Sequence, residues 1–386
     1  MNVVIVHPSL NRGGGAEKVC LATVKALMDS GYIVKLATVE KTNWLFLEER
    51  FGALYRPSEE VYLFEYMPLR SKFSQAFFAS IFFLSELIYY KIKSKHNIVV
   101  NTYGDLVDSV ADVSYINALP VRIMHLYPDC GFSSGTLWQV IAHGYGLCLR
   151  LVNKFFKGNV LLTNSKFTQR VVKHKLGKES LVVFPPVNLK QFCCDTNNLD
   201  RGNIVVTVSR LRSGKNLLLI PKIAKLVTFG NFVIFGLADQ ASNEEIASLK
   251  KTIKTFDLGN RVILRVNQSS QALIDVLLSA KVFLHTSHME AFGMAVVESM
   301  AAGCVPVVPK DGGPWVDVID QKQGVFGFSY KNSKEAAQLI ALLLGNTALR
   351  QQISISACKR AKIFDSSVFE KRIVDIVNRV FHEKFG

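Results

Sequence analysis

The chain has 386 residues, more than one ordinary domain core takes, so two domains are expected. Apolar residues make up 49% and charged residues 20%, a folded composition that excludes a disordered chain. Lys and Arg number 46 against 31 Asp and Glu, a formal charge of +15. That excess fits either a solvated basic surface or a polyanionic partner: nucleic acid, an anionic membrane face or phosphorylated ligands.

The opening MNVVIVHPSL reads as a strand with no basic leader, so no signal peptide is expected. The strand Val3 to His7 leads into a glycine loop, Asn11-Arg-Gly13-Gly14-Gly15, and then an amphipathic helix. That helix sets Val19, Cys20, Thr23, Val24, Leu27 and Met28 on one face. Gly31 ends it, and Tyr32 to Val39 is the next strand. The glycine spacing is not GxGxxG, although Glu40 ends the second strand where a dinucleotide fingerprint would want an acid. A nicotinamide or flavin enzyme is therefore a minor alternative.

Phe73 to Tyr90 is long and apolar but carries Gln75, Glu86 and three serines, so it spans a membrane poorly. Lysines and Arg70 flank it. It reads either as a buried helix or as an interfacial helix resting on anionic lipid. Strands follow at Asn97 to Asn101, Asp112 to Ile116, Asn159 to Thr163 and Leu181 to Phe184, with helical stretches between most of them. Strands separated by helices predict parallel βαβ units.

From Pro185-Pro186 the periodicity lapses for about twenty residues, as a linker would. Alternation then resumes. Strands are predicted at Ile204 to Ser209, Phe232 to Phe235, Val262 to Leu264, Val282 to Leu284 and Val305 to Val308. Helices are predicted at Asn216 to Thr228, near Glu244 to Thr255, near Gln271 to Ser279, and Gly293 to Ala302. The fold class is α/β, with two successive Rossmann-like, doubly wound domains whose ligands sit at the carboxyl ends of the strands. The seven cysteines (Cys20, Cys130, Cys148, Cys193, Cys194, Cys304 and Cys358) are odd in number and form no CxxC pair. That argues against structural zinc and a disulfide scaffold, and for reduced thiols in a reducing compartment.

The strongest site is His285-Thr-Ser-His-Met-Glu290-Ala-Phe-Gly293-Met-Ala-Val-Val-Glu298. A helix opening directly after a strand presents unpaired N–H groups that bind phosphate. Glu298 sits in a helix apolar nearly all round, where an unpaired carboxylate would cost several kcal/mol, so a polar group must meet it. Glu290 lies eight residues earlier, about 12 Å if the span is helical. That is the reach from a sugar across a diphosphate to a ribose. The alternative is two carboxylates tied to internal Arg or Lys. The second cluster, Ser209-Arg210-Leu-Arg-Ser-Gly-Lys215-Asn216, puts two cations on the same sheet edge. Asp311-Gly312-Gly313-Pro314 reads either as a close backbone approach to a ligand or as a plain turn.

At these residues the sequence resembles the retaining GT-B glycosyltransferases, or group 1 glycosyl transferases. The acid pair Glu290 and Glu298, EAFGMAVVE, AAGCVPVVP, GGP and SRLRSGKN carry the likeness. NSKFT near Asn164, VVFPPVN ending at Asn188 and the opening GGGAEKV look most like mannosyltransferases that build lipid-linked N-glycan precursors. The resemblance implies an acceptor-side domain over 1–185, onto which a helix of 365–386 packs back. It also implies a linker at 186–203 and a donor-binding domain over 204–364 facing the first across a cleft. Arg210 and Lys215 would hold the donor diphosphate and Glu290 the sugar hydroxyls. The backbone of Ala291, Phe292 and Gly293 would lie near sugar and phosphate. Glu298 would hold the ribose, Val266 would lie beside the base, and Gly14 and Gly15 would line the cleft. No metal and no cofactor are implied, since the nucleotide diphosphate sugar is a substrate. Related enzymes carry His where Asn117 stands; His125 is nearby but out of register. Asn117 can donate a hydrogen bond but shuttles no proton at neutral pH.

The expected activity is transfer of a hexose, mannose by the closest likeness, with retention, to a glycan or polyprenyl-linked acceptor. The alternatives are an epimerase or hydrolase on the same fold, or a basic nucleic-acid-binding protein, which has no reader motif in its favour. The expected location is cytoplasmic, with peripheral contact on an anionic membrane face and no nucleic-acid partner.

Overall fold

Residues 1–66, 72–93, 97–103, 110–118, 160–192, 201–239 and 242–386 are described in a computed structural model, with side chains from 82 onward in the helix of 72–93. They divide into two units. One holds the described residues up to Pro186 and again Ser366–Gly386; the other is Val187–Asp365.

The first unit is built on a parallel sheet. Its strands are β1 (Asn2–His7), β2 (Ile33–Glu40), β3 (Glu59–Phe64), β4 (Asn97–Asn101), β5 (Val113–Ile116), β6 (Val160–Thr163) and β7 (Leu181–Val182), in the order β3-β2-β1-β4-β5-β6-β7. Helices α1 (Gly15–Asp29), α2 (Trp44–Phe51), α3 (Lys72–Lys93) and α4 (Lys166–Leu176) complete it. β1 is apolar throughout its middle because both its faces are covered. Val3 and Ile5 join Val24 and Leu27 of α1 in one core, while Val4 and Val6 join Phe83 and Leu87 of α3 in another. The described half of α3 is thus a core helix, as one of its two sequence readings holds; its outer side exposes Tyr89 and Ile92. Among the described residues no helix is long and apolar enough to cross a membrane.

The second unit repeats the plan with β8 (Gly202–Arg210), β9 (Asn231–Leu237), β10 (Val262–Val266), β11 (Ala280–Leu284), β12 (Val305–Pro309) and β13 (Phe328–Tyr330), in the order β10-β9-β8-β11-β12-β13. Its helices are α5 (Leu219–Leu226), α6 (Asn243–Thr255), α7 (Ser270–Ser279), α8 (Met294–Ala301), α9 (Ser333–Gly345) and α10 (Thr347–Ala361). The strand order reverses at β8 and β11. Such a switch point opens a crevice outside the carboxyl ends of the strands. The chain then returns to the first unit as α11 (Ser366–Phe385). Phe369, Ile373, Ile376, Val377 and Val380 of α11 are buried in the same core as Val24 and Leu27. Lys384 and Lys91 both pair with the buried Asp112, whose Oδ2 also accepts the Val99 N–H.

Several elements differ from the sequence expectation. β3 and β13 were not predicted: β3 is a half-exposed edge opening with two glutamates, and β13 is three residues long. The strand expected over Leu181 to Phe184 is only two residues, because Pro185 cannot extend a ladder. The helix expected from Asn216 starts at Leu219. A 3-10 turn at Ser213–Lys215 comes first, and Asn216 turns the chain with φ 51°. In the expected linker, Val187 bridges to Asp365, and Phe192 is buried on a 3-10 turn against α7 and α8.

Candidate active site on the second sheet

Three segments meet at the carboxyl edge of the second sheet. Arg210 is the last residue of β8, paired in register with Leu237. The 3-10 turn after it carries Lys215, whose backbone oxygen accepts a 2.7 Å hydrogen bond from Thr286 Oγ1. β11 ends at Leu284, and His285 keeps the ladder one step further by donating its N–H to Val307. The chain then leaves the sheet, bends at Met289 with φ 52°, and delivers Glu290. Lys215 Nζ lies 2.6 Å from Glu290 Oε2.

The electrostatics follow from that crowding. Burial by itself would raise the Glu290 carboxyl. Lys215, His285 and Arg210 outweigh it and hold the carboxyl at about 2, with the Lys215 hydrogen bond adding to their charges. His285 is pushed the other way: burial lowers its imidazole to about 4, so it is neutral at pH 7 and lends Glu290 attraction only in acid. Its Nε2 is buried with no hydrogen-bond partner.

The Asp311-Gly312-Gly313-Pro314 loop answers an internal need. A Cβ on Gly312, at φ +70°, would sit 2.8 Å from Glu290 O and 2.9 Å from Glu290 N. Gly313 N donates to Glu290 O at 2.7 Å, and a Cβ there would lie 2.3 Å from Ala291 O. The glycines let this loop press on the Glu290 backbone. Gly293, at φ 94°, is the N-cap of α8, and no side chain caps that end. Phe292 is buried edge-on to Phe364, with ring centroids 5.3 Å apart. Glu298 is buried on α8. Because α8 begins only at Met294, the stretch from Glu290 to Glu298 is half loop, and the helical rise does not measure it. Val266 ends the edge strand β10, next to Asn267, whose side chain clasps both backbone groups of Ala238.

The remaining candidates belong to the first unit. Gly14 is the N-cap of α1 and donates its N–H to Glu17 Oε2 at 2.7 Å, and Gly15 opens that helix. Gly13, at φ +54°, lies against α2, where a Cβ would meet the Arg50 side chain at 2.8 Å. Glu40 accepts from Ser9 Oγ. Asn117 is part of the framework: its Nδ2 donates to Thr102 O, and its own backbone oxygen accepts Asn164 Nδ2 at 2.6 Å. His125 lies outside the described residues, as do Cys130, Cys148, Cys193 and Cys194. Among the described residues Cys20, Cys304 and Cys358 are not in disulfides, and no three His, Cys, Asp or Glu converge as metal ligands would. His285, His288 and Asp311 stood inside the quoted motifs without a role. Two histidines three residues apart just after a strand were the available signal.

Two Rossmann-like parallel-sheet units, the second with cations and a helix start at its switch-point edge, define the GT-B fold class. Residues 195–360 match the family model of glycosyl transferases group 1, the family that the sequence resembles. The chain is 27% identical over 240 residues to a human GDP-Man:Man(3)GlcNAc(2)-PP-Dol alpha-1,2-mannosyltransferase, covering 58% of this chain and 49% of that protein. It is 25% identical over 293 residues to a Campylobacter jejuni N,N'-diacetylbacillosaminyl-diphospho-undecaprenol alpha-1,3-N-acetylgalactosaminyltransferase, covering 72% and 74%. The chain spans about half the length of the mannosyltransferases it matches. Among solved structures, a sucrose-phosphate synthase from Thermosynechococcus elongatus superposes with TM-score 0.77 at 14% identity, covering 99% of this chain and 100% of that one. Anabaena HepE in complex with UDP superposes with TM-score 0.73 at 16% identity, covering 98% and 100%. These likenesses speak for the fold.

Proposed function

We propose that the protein is a retaining hexosyltransferase that moves mannose from a nucleotide diphosphate donor to a glycan or polyprenyl-linked acceptor. The observation that carries this is the Lys215–Glu290 pair at the switch-point edge, with the Arg210 charge acting on the same carboxylate. Arg210, Lys215 and the backbone start of α8 supply fixed positive potential where the departing diphosphate gathers negative charge. Glu290, ionised through the neutral range, accepts hydrogen bonds from hexose hydroxyls beside the backbone of Ala291, Phe292 and Gly293. Glu298 holds the ribose and Val266 borders the base. The acceptor hydroxyl attacks from the face the diphosphate leaves and passes its proton to that departing diphosphate, so no protein nucleophile is needed.

Mannose and a lipid-diphosphate acceptor are supported by the names of the relatives from human and Dictyostelium discoideum. The Campylobacter name supports a lipid-diphosphate acceptor of another kind. Peripheral contact with an anionic membrane face, on the cytoplasmic side, is supported by the charge of +15 and by Lys93 at the end of α3. The test is a thermal-shift panel of nucleoside diphosphates, followed by a transfer assay with the best donor and lipid-linked acceptors. Stabilisation by one nucleoside diphosphate and anomer-retaining transfer are expected. Donor consumption without transfer to any acceptor would instead make the protein an epimerase or hydrolase.

A further inference from the structure

Asp311 stands at the start of the glycine loop and uses both carboxylate oxygens on the segment that carries Glu290. Oδ1 accepts the Met289 N–H at 2.7 Å, and Oδ2 lies 2.6 Å from His288 Nδ1. Met289 is a non-glycine residue held at φ 52°, a conformation that costs of order 1 kcal/mol and persists only when its surroundings enforce it. The neighbouring glycines press on the Glu290 backbone from the same side. The Asp311 side chain thus bonds to both residues just before Glu290.

The second bond has a chemical consequence. A carboxylate only accepts, so the shared hydrogen belongs to Nδ1. In the neutral ring the bare nitrogen is then Nε2, an acceptor suited to a hydroxyl. The His288 side chain remains 35% exposed, so ligand can reach it. His288 and Asp311 act electrostatically on His285, as Glu290 and Lys215 do, which places all five in one cluster.

We propose that Asp311 is a positioning residue of the donor site: it orients the Glu290 segment through Met289 and sets the His288 tautomer, so that His288 Nε2 accepts a hydroxyl of the hexose being transferred. This rests on the donor reading above and assigns a sugar-selecting pair within it.

Asp311→Asn separates the two tasks. The amide oxygen still accepts the Met289 N–H, but the amide nitrogen donates and cannot accept from Nδ1–H, so the ring must present Nδ1 bare and Nε2–H. The experiment compares wild type, Asp311→Asn, His288→Gln and the double variant by nucleoside diphosphate binding, nucleotide-sugar kinetics and histidine nitrogen NMR. Asp311→Asn is expected to keep its melting temperature and its nucleoside diphosphate affinity. Its kcat/KM for the nucleotide sugar should fall about tenfold, the worth of one hydrogen bond to a hydroxyl. His288→Gln should lose a similar factor, and the double variant little more than either. The His288 resonances should move from the Nδ1–H to the Nε2–H pattern. Unchanged tautomer or unchanged kcat/KM in Asp311→Asn overturns the proposal alone. Equal losses in nucleoside diphosphate affinity and melting temperature make Asp311 structural and also overturn it. If wild type binds no nucleoside diphosphate, the donor reading itself fails and this one goes with it.

Discussion

Lys215 Nζ and Glu290 Oε2 meet at 2.6 Å although 75 residues separate them in the chain. Two strand ends and a single backbone bond make the meeting possible. β8 and β11 are neighbours, and Thr286 Oγ1 ties the Lys215 turn to the segment leaving β11. The pair is partly buried, with side-chain exposures of 31% and 24%, so its charges act more strongly than they would in open water.

Lys215→Ala is expected to lower turnover by about 10²–10³, the usual effect of removing one fixed donor facing developing negative charge. The unfolding free energy should fall by only about 1 kcal/mol, as for a half-exposed ion pair. Initial rates and thermal unfolding on the same preparation check this. Losses of matching size in both would make Lys215 a scaffold residue.

Gly312→Ala places a Cβ 2.8 Å from the Glu290 backbone oxygen at a positive φ. It should cost about 1–3 kcal/mol of stability and weaken nucleotide-sugar binding by displacing Glu290. Gly259→Ala is the matched control, since a Cβ there meets nothing within 4 Å, and it should change stability by less than about 0.5 kcal/mol. Urea unfolding of the two variants separates the cases. Equal midpoints would remove the steric account of the glycine loop.

Acid should destabilise the protein through two buried histidines, partly offset by Glu86, whose carboxyl is raised by burial to about 7 so that its contribution to stability grows as pH falls toward 4.5. Burial lowers His285 to about 4; burial, with Arg12, lowers His7 to about 3; the ordinary value is 6.5. Below 6.5 the unfolded chain binds protons that the folded chain refuses, so this stability is complete above 6.5 and is lost as pH falls toward 4. Each histidine contributes a slope of about 1.4 kcal/mol per pH unit in that window. Denaturant titrations between pH 7.5 and 5, with His7→Gln expected to flatten the slope, test it. A pH-independent wild type over that interval would contradict the burial of both rings.

Phe369→Ala on α11 should cost about 3–5 kcal/mol, because the ring is 2% exposed and stands edge-on to Tyr115 at 6.0 Å. Ile92→Ser on the outer side of α3, where the side chain is 68% exposed, should cost almost nothing. Denaturant midpoints compare them. A small loss for Phe369→Ala would mean that α11 is not part of the first unit's core.

Much of this protein was legible in the order of its residues. The βα alternation, the glycine and proline punctuation, and runs such as Val305–Pro309 report local backbone preference and burial on both faces. The motifs around Arg210, Lys215, Glu290 and Glu298 were visible because strand-end and helix-start chemistry is written locally. Short or half-exposed elements such as β13 and β3 were not, since a strand of three residues or an acidic edge carries too little pattern.

What only the tertiary structure decided is which distant groups touch. Asn117 is spent on the Thr102 carbonyl, the Asp311 carboxylate closes on Met289 and His288, and the glycines at 312 and 313 make room for Glu290's own backbone. Periodicity records whether a residue faces the core or water. A hydrogen bond or a clash depends on distances of a few tenths of an ångström between separate strand ends, and those are set only when the sheets assemble.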